Sequence, residues 1–337
     1  MSKLPSSGRN PARRLWHFRQ VLPGLLGLAL LVAVLSRVQF DQLADVVGSA
    51  DPLWLAIVLL AGALTSLGRA WRYAILTPPN RMTLSLFACF ATMRGLNLAM
   101  PFRVGEVASL ALLKRYGHSA SIAQTLPIWI FLRLTDVVAL GLCGLLLFGA
   151  HDVGHYGLPS GSQIAIVLVV AVSGLALVSM YLVPRFRVPK MGNGWLAHRL
   201  LAVQEGLHDL PGVGRVIGGV LLSVGIWIGL LLATIAAQKT IHIPFDFDRI
   251  AVAGLCSLFV GLLPIHAPGA IGTGDALWCV VLTTLGLPLA EAATFAFSIR
   301  MLLLLSLAFD TLTGILLLRR YTPCVEIRLQ PTKAASG

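Results

Sequence analysis

Long apolar runs, separated by short polar stretches, occupy nearly the whole chain. Their approximate bounds are Val21–Ser36, Leu53–Ala70, Met82–Leu113, Leu126–Ala150, Ile164–Val183, Val216–Ala237, Ile250–Leu287 and Ala290–Leu318. A helix needs about 20 apolar residues to cross a bilayer core, so the runs predict an all-α polytopic integral membrane protein. The third run is broken near Pro101, and the seventh by Pro264, Pro268 and several glycines. Such residues do not continue a helix. Each broken run therefore predicts two half-helices rather than one.

Loop charges assign the sides, because cytoplasmic loops collect Lys and Arg. The start of the chain carries Lys3, Arg9, Arg13, Arg14 and Arg19 without an acid and is expected inside. The next loop, with Arg37 against Asp41, Asp45 and Asp51, is expected outside. Arg69, Arg72 and Arg81 place the following connection inside, and Lys114 and Arg115 do the same after the broken third run. A segment that starts and ends on one side is a re-entrant hairpin. His151 to Gly161 has no Lys or Arg and reads as outside; 184–215 has five and reads as inside. Residues 239–249 read as outside and the basic C-terminal stretch as inside, so the broken seventh run must also return to its own side.

The expectation is about six full spans plus two oppositely oriented re-entrant helical hairpins, arranged as an inverted repeat. Repeat one covers about 53–150 and repeat two about 215–319, within one transmembrane domain at 21–319. A basic cytoplasmic tail at 1–20, retained rather than cleaved, and a cytoplasmic tail at 320–337 flank it. Inverted repeats place substrate near the midplane, where broken helices expose backbone dipoles.

Composition sharpens the class. Of 337 residues, 57% are hydrophobic and only 12% charged, against about 25% charged in soluble domains. An ordinary soluble enzyme is excluded. The net charge of +12 lies between apolar runs, which fits basic loops at a membrane and not nucleic-acid binding; anionic headgroups suit the same loops. The five cysteines form no C-x-x-C pair, so no disulfide, zinc or other metal is expected. His151, Asp152 and His155 have metal-like spacing but no third ligand and read as a solvated loop. His266 reads as a hydrogen-bonded histidine able to titrate. No cofactor motif is present, and no Ser-His-Asp arrangement occurs in the apolar runs.

Charges inside apolar runs are the candidate chemistry, since each costs about 2.5–3.5 kcal/mol facing lipid. They are Arg94, Arg103, Glu106, Arg133, Asp136, Asp275, Arg300 and Asp310. Glu106 and Asp275 each follow a glycine at a helix start. Both suit a helix cap and equally a coupling carboxylate. Arg133 and Asp136, three apart, either pair with each other or serve a ligand. Arg300 has no acid one turn away and predicts a partner on another segment or a phosphate, which guanidinium matches in bidentate fashion. Arg94 and Asn97 share a face before the Pro101 break. Pro264 to Gly274, reading PIHAPGAIGTG, offers free backbone N–H groups to an anion, with Gly269, Gly272 and Thr273 as the contacts. Each hairpin repeats a pattern of proline, Gly-acid pair and later arginine: Glu106 is followed by Arg133, and Asp275 by Arg300.

With these pieces assembled, the chain resembles the flippase-like membrane domain of lysylphosphatidylglycerol synthases and its stand-alone relatives. The resemblance rests on Arg69-Ala-Trp71-Arg72, on Asn97-Leu-Ala-Met-Pro101-Phe-Arg103-Val-Gly105-Glu106, on Arg133-Leu-Thr-Asp136, on Leu263-Pro264 with Gly269-Ala-Ile-Gly272-Thr-Gly274-Asp275, and on Arg300. It covers about Leu53 to Leu318. The chain departs from the family at Gly274-Asp275, where Arg-Glu is usual, and at Ser109, where a basic residue is usual. The resemblance implies lipid translocation without the aminoacyl-transferase domain.

The reading is therefore a bacterial inner-membrane lipid transporter with both termini cytoplasmic. Its expected partners are lipids with anionic headgroups: phospholipids, polyprenyl-phosphate-linked lipids or hopanoid-type lipids. Substrate contacts are expected from Arg94, Asn97, Arg103, Arg133, Arg300, Gly269, Gly272 and Thr273, and coupling or capping from Glu106, Asp136 and Asp275. Two rivals remain: a membrane-embedded lipid-modifying transferase, and a non-catalytic partner of an envelope-biosynthesis enzyme. A homo-oligomer is the other assembly to consider.

Overall fold

The computed structural model describes residues 28–77, 81–99, 104–119, 122–149, 162–182, 212–261 and 272–322. All regular structure among them is helical. Residues 28–35 are helical, followed by α1 (Phe40–Gly48), α2 (Pro52–Leu76), α3 (Leu84–Ala99), α4 (Val104–Arg115), α5 (Ile122–Gly149), α6 (Ser162–Leu182), α7 (Val213–Thr240), α8 (Phe247–Gly261), α9 (Thr273–Thr284) and α10 (Leu289–Leu318).

Four helical stretches are long and apolar enough to cross a membrane: Pro52–Leu76, Ile128–Leu147, Val213–Thr240 and Leu289–Leu318. Six spans were expected. The first seven residues of the first run lie outside the described residues, and the apolar stretch found within α6 is the shorter Val167–Ser179. The two broken runs form paired short helices, α3 with α4 and α8 with α9. The longest of these has 16 residues, about 24 Å at 1.5 Å per residue, less than the roughly 30 Å hydrocarbon core.

Large apolar residues fill the core and also cover the outer surface, while the buried faces add small and polar residues. Along α10, Met301, Leu305, Phe309, Leu312 and Leu316 are exposed, whereas Ala292, Ala296, Ser306, Asp310 and Gly314 are buried. This pattern suits lipid as the surrounding medium. The most extensive packing joins α2 to α7, and α10 lies along α3. Small side chains permit both approaches. A Cβ on Gly314 would sit 2.7 Å from the Ala88 carbonyl oxygen and 2.7 Å from the Thr92 amide nitrogen. A Cβ on Gly105 would sit 2.5 Å from the Leu96 carbonyl oxygen, so glycine lets α4 touch α3.

The packing pairs correspond between the two proposed repeats. Just as α2 contacts α3 and α4 contacts α5, α7 contacts α8 and α9 contacts α10; α2 meets α10 as α7 meets α5. One expected loop is instead helical. Residues 40–48 form α1, because Phe40, Leu43 and Val46 recur at helical spacing and Asp41 lies in the first turn. Leu43 and Val46 pack on the core.

Candidate functional site

The site grows from five helices that each contribute charge inside the bundle. Late in α2 stand Arg69 and Arg72, one helical turn apart. Arg72 is 4% exposed, as is Asp136 of α5. The Arg72 Nη1 donates to Asp136 Oδ1 at 2.5 Å and to Ser223 Oγ of α7 at 2.7 Å. Trp227 Nε1 donates to the same Asp136 oxygen at 3.2 Å. Three helices are thereby tied at one carboxylate.

Arg94 of α3 pairs with Asp310 of α10 and donates to the Gly62 carbonyl of α2 at 3.0 Å. Asp310 also accepts from Ser66 Oγ at 2.9 Å. Arg133 of α5 donates to Glu106 of α4 at 2.6 Å and lies 3.6 Å from Asp136. Glu106 accepts from Trp129 Nε1 at 3.0 Å, and the Arg133 guanidinium lies 5.6 Å from the centre of the Trp129 ring.

These groups surround a pocket lined by Arg69, Arg72, Arg94, Asn97, Arg133 and Asp136, with Phe90, Met93, Trp129 and Leu132 as its apolar walls. Four guanidinium groups therefore face three carboxylates: Asp136 in the lining, and Glu106 and Asp310 directly behind it. Among the described residues, one positive charge is left over. Arg69 makes no hydrogen bond or ion pair among the described residues, and the Asn97 Oδ1 is buried without a hydrogen-bond partner. The cavity measures about 30 Å³, room for about two waters.

The expected site residues divide into two groups. Arg94, Asn97, Arg133 and Asp136 line the pocket, and Glu106 supports it through Arg133. Arg300 does not line it. Arg300 Nε lies 3.7 Å from Asp275 Oδ1 at the start of α9, beside Gly272 and Thr273. Asp275 caps α9, accepting from the Gly272 backbone N–H at 2.8 Å, and Gly272 holds φ +77°. Of the two acids expected to cap, Asp275 does so, and Glu106 accepts from Arg133 and Trp129. Arg103, Gly269, His266 and the His151 loop lie outside the described residues.

Sequence reasoning used Arg69 and Arg72 as loop charges and missed them as site residues. The helix α2 extends to Leu76, six residues beyond the expected end, because Ala70, Tyr73 and Ala74 continue a buried face. The available signal was two arginines one turn apart beside a run that still reads as helix. Asp136 pairs more closely with Arg72 than with its helix neighbour Arg133.

No group of three His, Cys, Asp or Glu suited to a metal occurs among the described residues. Away from the pocket, the Ser85 hydroxyl and His118 Nε2 are 2.6 Å apart, and Tyr73 donates to the His118 carbonyl. Burial holds the His118 imidazole below its usual range.

Comparison with protein families decides the kinship that the buried charges suggest. The model of the lysylphosphatidylglycerol synthase TM region matches residues 20–309. The chain belongs to this family. The match takes in every pocket residue, and it places the protein among membrane proteins with lipid-related functions. Comparisons with curated proteins and with solved structures found no match.

Proposed function

We propose that the protein moves a lipid with an anionic, phosphate-bearing headgroup between the leaflets of a bacterial inner membrane by alternating access. The carrying observation is the surplus guanidinium. Within apolar helices, four arginines meet three carboxylates, and Arg69 has neither a hydrogen bond nor an ion pair among the described residues. An uncompensated cation at such depth is costly unless an anion visits it. A phosphate meets that need in bidentate geometry.

In this reading the short pairs α3–α4 and α8–α9 are re-entrant hairpins from opposite faces, with both chain termini cytoplasmic. Support comes from their lengths and from equivalent ion pairs. Glu106 in the first turn of α4 pairs with Arg133 of the following span, as Asp275 in the first turn of α9 pairs with Arg300. The pocket has room for about two waters, less than a lipid headgroup needs. Headgroup access requires the arginine side chains to part, while acyl tails remain in lipid. Purified protein in vesicles carrying a labelled anionic lipid tests the reading. Faster exchange between leaflets than in protein-free vesicles is expected; an unchanged rate contradicts it.

A further inference from the structure

The three helices that line the pocket repeat one order of side chains. On α2, Arg69 and Tyr73 are followed by Thr77, the helix's C-cap, at one-turn spacing. On α5, Thr125, Trp129 and Arg133 keep the same spacing in the opposite chain direction, and on α3 the sequence is Ser85, Phe90, Arg94. Each helix thus steps from a hydroxyl through an aromatic ring to an arginine. The arginines line the pocket. Beyond the rings, at the base of the α3–α4 pair, Ser85 Oγ lies 2.6 Å from His118 Nε2, Tyr73 donates to the His118 carbonyl at 3.1 Å, and Ser119 hydrogen-bonds Thr125. Between these two polar regions the rings meet. The Tyr73 and Phe90 centroids are 5.6 Å apart and those of Phe90 and Trp129 6.3 Å; all three residues are buried. One helical turn rises about 5.4 Å, so the layer is about one ring thick. A thin apolar constriction between polar regions blocks water and charged groups by dewetting. The layer is also tied to the pocket. Trp129 Nε1 donates to Glu106 Oε2 at 3.0 Å, and the Arg133 guanidinium lies 5.6 Å from the centre of its ring. A ligand that draws Arg133 away therefore removes one restraint on Trp129.

We propose that Tyr73, Phe90 and Trp129 form the gate that closes the pocket toward the base of the α3–α4 pair, the cytoplasmic face in the transport reading. The proposal rests on that reading for the gate's place in the cycle and names the side chains that control access to the same site. Phe90 is the central leaf, because its ring meets both of the others. Filling of the pocket loosens the layer through Arg133 and Trp129, which links occupancy to opening.

The test reads access rather than transport. Met93 lines the pocket, three residues beyond Phe90 on α3, so Met93→Cys places a thiol behind the rings. The full chain carrying it is sealed into vesicles of either orientation and treated with a membrane-impermeant, sulfonate-bearing methanethiosulfonate. Labelling of the native cysteines is subtracted with the same protein retaining Met93. Slow labelling from the cytoplasmic face is expected. Phe90→Ala should speed it at least tenfold from that face and leave the rate from the outer face as it was. Tyr73→Leu, on a different helix, should do the same, so the result does not hang on one variant's folding; general loosening of the bundle raises both rates together. Acceleration from both faces, from the outer face alone or from neither overturns the gate. Leaflet exchange of a labelled lipid by the wild type is followed in parallel. If no exchange occurs, the transport reading falls, while labelling accelerated from one face still establishes the closed layer.

Discussion

Arg133 of α5 reaches Glu106 in the first turn of α4 at 2.6 Å. The relationship recurs where Arg300 of α10 approaches Asp275 in the first turn of α9 at 3.7 Å. The two differ in burial. Side-chain exposure is 34% and 18% for Arg133 and Glu106, against 13% and 3% for Arg300 and Asp275. Asp275 caps its helix, and Glu106 braces an arginine at the pocket.

The two carboxylates should therefore respond differently to removal of charge. Glu106→Gln keeps one acceptor oxygen and turns an NH2 toward either Trp129 or Arg133, but the site is partly wet, so its stability loss should stay at about 1–2 kcal/mol, with altered transport. Asp275→Asn leaves a buried arginine less compensated and weakens the cap, with an expected loss of about 3–5 kcal/mol. Thermal unfolding of the two purified variants checks the order; a larger loss for Glu106→Gln contradicts it.

Arg72 and Asp136 bind three helices through one carboxylate. Asp136→Asn should cost about 3–5 kcal/mol, because Arg72 stays buried without its counter-ion. Joint replacement, Arg72→Met with Asp136→Leu, should cost less than the two single changes added together. A double-mutant cycle on unfolding in detergent measures this coupling, and strict additivity would show that the pair carries none.

The contact of α10 with α3 depends on a missing side chain. Gly314→Ala would place a Cβ 2.7 Å from backbone atoms of Ala88 and Thr92. Backbone gives way less readily than a side-chain tip, so a loss of about 1–3 kcal/mol is expected. Gly225→Ala is the control, since no atom lies within 4 Å of its added Cβ. Equal melting temperatures for the two variants would refute the close approach.

Burial lowers the pKa of His118, so the unfolded chain binds the proton more readily than the folded one. Stability from the neutral imidazole is present above the ordinary pKa of about 6.5 and falls as pH drops from there to the lowered folded value. In that window the wild type should melt at progressively lower temperature. His118→Gln should flatten this dependence. A slope unaffected by the substitution would assign the effect to another group.

Much of the architecture is legible in the sequence because membrane helices are apolar and their breaks are made by Pro and Gly. The interruptions around Pro101 and at Pro264–Gly274 correctly separated α3 from α4 and α8 from α9. Arg94, Asn97, Arg133 and Asp136 stood out because charge and amide groups are costly in such runs. Their grouping was not legible, since it depends on which helix faces which. Arg300 thus turned out to pair with Asp275 instead of joining Arg94 and Arg133. Arg69 and Arg72 were obscured because a basic residue near a run's end reads as a loop anchor until helix length is known. The helix α1 was hidden by its acidic residues, which suggested a loop while Leu43 and Val46 anchored it to the core.

The central claim is that Arg69 supplies the charge that draws an anionic headgroup into the pocket. Its most direct test is leaflet exchange of labelled phosphatidylglycerol by wild type and Arg69→Gln in matched vesicles, with unfolding temperatures measured in parallel. Because Arg69 holds no ion pair among the described residues, the variant should melt close to the wild type and transport at least tenfold more slowly. An Arg69→Gln protein that is equally stable and equally fast would contradict the account.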